Sequence, residues 1–553
     1  MLNFIIGRNN SGKTEKIRAL IAERASENKK CILIVPEQFS FESERSILEK
    51  IGAQKMLNVD ILSFTRLAFV INEQYGKALN KTIDDGTRKV LMSLSLEALS
   101  GKLEYFKRFS SKPALLSNLL TFVTELKQCA VTPDEIAEIS GKTGNKSLGK
   151  KLSELSLIAA SYDALVSRSF FDDENLLTIA ADMISESDFF DGKAVYFDAF
   201  CGFTKQERNC IKSILPKAEN VFISLCTDRD LSREGVSVFE NVNSEFSHLR
   251  ECAAEQNVGV SSPEILNVKE DGRSPELVYL EKYLCGEESE PYKEECDNIV
   301  VCAAGNRADE ADFVACEIKK LLRCNPTLRC RNIAVIERTA GTYDKELSES
   351  FKKYGVPMFE DKRRPIGIQP VMVFVKCLLA LCAEGFSTES FMRLLKTGLT
   401  ALSGDEISEL ENYAFLWNID GSKWRRDFTE NPDGLGFDVT EKSQEKLIRL
   451  NDIRKRSVLP VLAFKKDFEE ADGEKKSRLI YEFLIKNGVT ERLREKIEYL
   501  VSSGDTVLCE EQDTVWATLM DMLGKMASAI GETVITAKRY SELFNILLSA
   551  VTL

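Results

Sequence analysis

Eight residues near the start of the chain, "GRNNSGKT", carry a spacing with a definite chemical use: Gly7, four residues, then Gly12, Lys13 and Thr14. Glycines at these places let backbone N–H groups curl around phosphates, the lysine neutralises the outer phosphate oxygens, and the hydroxyl reaches magnesium. Arg8 and Ser11 lie inside the loop and are counted with it as nucleotide-binding residues. Such a site also needs a carboxylate at the end of a neighbouring strand, and Asp198, after the apolar run "AVYF", suits that place. Thr14 and Asp198 are therefore the candidate metal residues. Hydrolysis asks for one group more, to orient the attacking water, and Ala199 follows the aspartate. Gln206 and Glu207 have suitable chemistry, but nothing in the sequence brings them to the phosphates.

Two other stretches fall at strand ends on the same edge. "VPEQFSFESE" offers Gln38 and Ser40, and "ILSFTRLAF" offers Phe64, Arg66 and Phe69. A base stacked on an aromatic ring is worth ~1–3 kcal/mol, although the same rings serve equally well to close the sheet. Lys362, Arg363 and Arg364, and Lys423, Arg425 and Arg426 beside Trp424, form two basic clusters able to follow a phosphate backbone. The net charge of −13 argues against nonspecific polyanion binding by the whole surface, while leaving room for a local groove. One histidine, His248, leaves little scope for zinc or imidazole chemistry and reads as a surface residue. The fifteen cysteines contain no CxxC pair and read as scattered small apolar residues.

The elements that position these residues follow from apolar periodicity. Short buried strands are expected at residues 2–6, 30–36 and 58–64, and again in "KAVYFDAF" and "NVFISLCTD", alternating with helices as in a parallel sheet. Residues 79–190 turn helical, with a capping box and an N1 proline in "TPDE" at Thr132–Glu135. Residues 255–295 read as a polar connector. A second α/β unit follows, with strands in "NIVVCAA", "RNIAVIER" and "VPMFED". The longest apolar stretch, "VMVFVKCLLALCA", contains Lys376 and is too short to span a membrane, so it reads as a buried helix. "YSELFNILLSAVTL" keeps a helical pattern to the last residue, as in a cut chain. At 553 residues, against about 150 per domain, several structural units are expected.

Taken in order, "GRNNSGKT", "VPEQFSFESE", "SFTRLAF", "VYFDAFCGFTKQE", "AAGNRADEADFVACEIKKLL", "NIAVIER", "YGVPMFEDKRRPI" and "LLKTGL" resemble the AddB family. Its members are one of the two components of bacterial AddAB helicase-nucleases, similar in turn to UvrD-like helicases. The resemblance covers essentially the whole chain and rests on the order of the eight segments. It implies an α/β fold of the P-loop NTPase class, with RecA-like parallel-sheet domains carrying large all-helical insertions. Residues 1–78 and 191–290 would be the two parts of the first RecA-like domain, with the connector, and 79–190 its insertion. Residues 291–380 would begin the second, and 381–553 would be a helical insertion stopping before a C-terminal nuclease domain.

The resemblance also implies ATP and Mg2+ as cofactors, and a 4Fe-4S cluster in that C-terminal domain, to which none of these cysteines is assigned. It implies an AddA-type partner in a heterodimer, single-stranded DNA from a broken duplex end, and a cytoplasmic location. Asp198 matches the aspartate of the helicase Asp-Glu pair, Ala199 replaces the glutamate, and Arg338 matches a motor arginine. Gln38, Ser40, Phe64, Arg66, Phe69 and Phe203 match the strand-contacting positions. The expected role is a nucleotide-binding component with degenerate hydrolysis that scans single-stranded DNA for Chi during double-strand-break repair by homologous recombination. Two other readings stay open: a stand-alone P-loop ATPase or kinase, and a catalytically silent scaffold for the AddA-type partner.

Overall fold

The computed structural model describes residues 1–76, 83–107, 112–169, 173–227, 238–267, 273–283, 290–339, 341–359, 365–504 and 506–551. It divides into two units: Met1–Glu234 with Phe239–Val268 and Arg364–Leu553, and Gly235–Val238 with Lys269–Arg363.

The first unit is organised on a six-stranded sheet, all parallel. In chain order its strands are β1 (Leu2–Gly7), β2 (Cys31–Ile34), β3 (Val59–Leu62), β4 (Ala194–Phe197), β5 (Asn220–Cys226) and β6 (Glu264–Ile265), and their spatial order is β3-β2-β4-β5-β1-β6. The chain leaves β1 in one direction to reach β2 and β3, and moves in the opposite direction from β4 to β5 and β6. Right-handed crossovers in opposite directions place their helices on opposite faces. Accordingly, helix α1 (Lys13–Ser26) packs Ile17 and Ile21 against Ile5, Cys31, Leu33 and Tyr196 on one face. On the other face, Phe64, Cys210, Ile211, Phe246 and Leu249 cover Phe4, Ile6, Ile34, Val195, Phe197 and Ile223. With both faces buried, the strands are near-continuous apolar runs rather than alternating ones. β6 lies in the stretch that reads as a polar connector. Its two residues pair with Ile5 and Ile6 of β1, too brief a contact to leave an apolar signature.

The helical stretch after β3 and the C-terminal helices, far apart in sequence, share a single hydrophobic core. Leu91, Leu96, Leu116 and Tyr162 belong to it together with Phe374, Phe391, Trp424, Phe468 and Phe544. Helix Asp85–Ala98 meets helix Ala537–Leu548 so closely that a Cβ on Gly86 would stand 2.5 Å from Leu547 Cδ1. Arg539 Nε binds Glu97 Oε2 at 2.9 Å along this seam, and Lys525 Nζ, from helix Thr506–Ile530, binds Asp84 Oδ2 at 2.6 Å. The capping box at Thr132 forms as its sequence predicts, with Thr132 N donating to Glu135 Oε2 at 2.7 Å and Glu135 N donating to Thr132 Oγ1. Helix Pro370–Ala383, the longest apolar stretch, is buried in this core. Among the described residues no helix is long and apolar enough to cross a membrane.

The second unit packs helices Arg307–Cys324 and Asp344–Tyr354 around Ala315, Ile318, Phe351 and Val356. The three strands expected here are not realised as a ladder. Residues 299–304, 333–337 and 356–359 carry no strand pairing, and Val301, Ile336 and Phe359 are 93%, 91% and 93% exposed. An apolar run becomes a strand only when a neighbouring strand satisfies its backbone groups, and these runs have no paired strand among the described residues. A groove of about 600 Å³ opens beside the last two of these runs, lined by Ile333, Val335, Val356 and Met358.

Candidate nucleotide and strand-binding edge

β1 ends at Gly7 because the chain must turn there in close quarters: a Cβ at this position would come within 2.8 Å of the Leu266 carbonyl oxygen beyond β6. The loop then takes left-handed backbone at Asn10 (φ 60°) and Gly12 (φ 88°) and delivers the chain into α1 with no side-chain cap. The first N–H groups of α1 therefore lack intrahelical partners and point at the loop, the geometry that receives an anion. Lys13 Nζ is folded over the loop, donating to the carbonyls of Gly7 and Arg8 at 2.8 Å each and to Ser11 Oγ at 3.5 Å. Ser11 is buried, Thr14 is half-buried in the first turn of α1, and the Arg8 guanidinium lies 5.5 Å from the centre of the Phe239 ring.

Asp198 follows β4, which is separated from β1 by β5 alone. It is 5% exposed, gives its N–H to Ile34 O at 3.1 Å, and accepts a hydrogen bond at Oδ1 from Ser224 Oγ. Ser224 does not belong to the motifs that mark this site in the sequence. Its signal is a hydroxyl inside the otherwise apolar "VFISLC" of β5. Ala199 is exposed and holds left-handed backbone (φ 66°), a conformation L-residues adopt at a cost. The alternative carboxylate and amide are committed elsewhere. Glu207 closes a capping box on Thr204, with Thr204 N donating to its Oε2 at 2.7 Å, and buried Gln206 donates to Thr178 Oγ1 at 2.8 Å. Among the described residues no group of three or more His, Cys, Asp or Glu side chains is arranged to hold a metal ion. A cation here would depend on Thr14, Asp198 and the phosphates themselves.

The ends of β3, β2 and β4, adjacent in the sheet, gather the other candidates. Ser63 caps helix Phe64–Tyr75 by accepting from Arg66 N at 3.2 Å, which fixes Phe64 at its first position. Phe64 is 6% exposed and meets Phe197, Phe200 and Phe203 at ring distances of 5.9, 5.5 and 6.1 Å. Phe203 is likewise buried and Phe69 is half-buried against the same core. Gln38 is exposed, and Arg66 is exposed with a surface pair to Glu44 at 3.4 Å. Ser40 Oγ is buried without a hydrogen-bond partner. A cavity of about 170 Å³ opens beside Phe64, Thr65, Ala68, Gln128, Leu176, Leu177, Thr204, Gln206 and Glu207.

Arg338 is exposed in the second unit, and Lys362, Arg363 and Arg364 lie outside the described residues. In the other basic cluster Trp424 is fully buried in the helical core, so its ring is unavailable to a nucleic acid while Lys423, Arg425 and Arg426 face solvent. His248 is on the surface.

Residues 4–281 match the family model described as "ADDB, N-terminal". The chain is 29% identical over 561 residues to the B component of the ATP-dependent helicase/deoxyribonuclease of Acetivibrio thermocellus, covering 99% of this chain and 48% of that protein. The Clostridium acetobutylicum and Clostridioides difficile proteins of the same name are 29% and 28% identical over 552 and 562 residues, with 98% and 99% of this chain covered. In both cases the match takes up 48% of the relative. The chain spans about half the length of the relatives it matches.

Proposed function

The chain belongs to the AddB N-terminal family, and on that premise we propose that it is the nucleotide-holding, strand-scanning part of a helicase-deoxyribonuclease complex that processes broken DNA ends for recombinational repair. The observation that carries this reading is the end of β4. A complete phosphate loop follows β1 and an aspartate follows β4 on the same edge of the parallel sheet, while the next residue, at which the helicase pattern has glutamate, is Ala199. ATP binds at the loop, with its phosphates on the N-terminus of α1 and Lys13 leaving the carbonyls of Gly7 and Arg8 to meet them. Thr14 and Asp198 would hold magnesium, which neutralises phosphate charge when bound. The half-buried hydroxyl and the buried carboxylate are hard oxygen donors of the type this cation takes. With no group at 199 to orient a water, the site binds nucleotide and does not turn it over.

At the far end of the same edge, Gln38, Ser40, Phe64, Arg66, Phe69 and Phe203 form the path of a single strand emerging from the duplex, which is read there for Chi. Arg66 supplies a cation to the phosphates, and the orphaned Ser40 hydroxyl supplies a buried polar group for a base edge. An AddA-type partner completes the machine.

The test is binding of a labelled single-stranded oligonucleotide across a salt series, by the wild-type chain and by a Phe64→Ala, Arg66→Ala double variant, each checked for folding. Salt-sensitive binding lost in the double variant is the expected result. A folded wild-type chain that fails to bind the oligonucleotide contradicts the scanning role.

A further inference from the structure

Strand alternation decides which side chains share a face with α1. Ala194 and Tyr196 of β4 pack on that side, so Asp198, two residues on, follows them there. Val221, Ile223 and Leu225 of β5 point to the opposite face, which leaves Ser224 on the α1 side. Register sets Phe197 against Ile223, so Asp198 and Ser224 are the next pair along the two strands. They are 5% and 3% exposed, and the serine hydroxyl donates to Asp198 Oδ1.

A serine inside a buried strand costs stability unless its hydroxyl is bonded. Here the bond that offsets the cost goes to the carboxylate at the phosphate edge. Among the described residues Oδ2 of Asp198 takes no hydrogen bond. One oxygen is thus fixed by β5, and the other, on a residue of the α1 side of the sheet, takes no hydrogen bond.

We propose that Ser224 is a positioning residue for the nucleotide site, holding Asp198 by Oδ1 so that Oδ2 is presented to the cation that accompanies the phosphates. The inference rests on the nucleotide-binding reading above and assigns to β5 a role in it. Removing the hydroxyl frees the carboxylate to rotate and leaves Oδ1 without its donor, which weakens the cation's contribution and spares the loop's own grip on phosphate.

The measurement is a magnesium titration of binding of a fluorescent ATP analogue by wild type, Ser224→Ala, Ser224→Thr and Asp198→Ala, with thermal melting of each without nucleotide. Ser224→Ala is expected to raise the magnesium concentration for half-maximal binding about ten- to a hundredfold, from loss of one hydrogen bond to a charged group. Its affinity in chelator should match wild type, and Ser224→Thr should restore the midpoint. Should Ser224→Ala fail to fold, Ser224→Cys, of similar size but a weak donor, is expected to show the same shift. A Ser224 variant with lowered melting temperature and an unchanged magnesium midpoint, where Asp198→Ala shifts it, overturns the inference and leaves the nucleotide site standing. A wild-type chain that binds no nucleotide overturns the reading on which it rests.

Discussion

At the end of β1 the backbone is already curled, with left-handed Asn10 and Gly12, and the lysine already folded over it. At the ends of β3 and β4 the rings suited to stack a base are instead packed against one another, Phe64 and Phe203 being 6% and 7% exposed. The phosphate end needs one lysine to exchange carbonyls for an anion. The aromatic end must uncover a ring face, or read a strand with the groups already outside, Gln38 and Arg66, and with the buried Ser40 hydroxyl. On the proposed function, the two ends of one edge thus separate a preformed anion site from a strand site in which core and contact would be the same residues.

The largest effect should come from Phe64→Ala. If the ring is core first, truncation costs about 3–5 kcal/mol of stability in urea unfolding. A loss under about 1 kcal/mol would say instead that the ring is free to stack, and would erase the contrast between the two ends. Next is Lys13→Ala, expected to weaken binding of a fluorescent ATP analogue by about 1.5–3 kcal/mol while leaving oligonucleotide binding unchanged. Loss of both activities together would mean that the two ends are coupled. Arg66→Ala should lower the salt dependence of oligonucleotide binding by about one phosphate contact and leave stability nearly untouched, since its pair with Glu44 is exposed. The smallest effect is stabilising. Ala199→Gly should raise stability by about 0.5–1 kcal/mol, because glycine adopts the left-handed conformation without the Cβ clash.

Much of the phosphate end was legible in the sequence. The loop spacing, the apolar strand before it and the aspartate after "AVYF" are local patterns, and local patterns survive folding. The aromatic end was legible as a list of residues but not as an environment. Whether Phe64 faces a base or Phe203 depends on the loop after β4, more than a hundred residues away. The shared core of the two helical stretches was hidden for the same reason, since the Lys525 to Asp84 and Arg539 to Glu97 pairs span 441 and 442 residues. In the second unit the runs around Val301, Ile336 and Phe359 look as strand-like as those of the first. Backbone partners, which composition does not encode, are what separate them from β1–β5. Ser224 was legible only in retrospect, as a hydroxyl with no local reason to sit in a buried strand.

A site that holds nucleotide without consuming it is tested by following binding and turnover on one sample. A fluorescent ATP analogue reports occupancy while phosphate release is recorded, with magnesium and single-stranded DNA present and no AddA-type partner. Magnesium-dependent occupancy is expected, with phosphate release at least ~100-fold below the ~10 s⁻¹ typical of enzymes. Sustained release near that typical rate, abolished by Lys13→Ala, would contradict it and place a water-orienting group where Ala199 provides none.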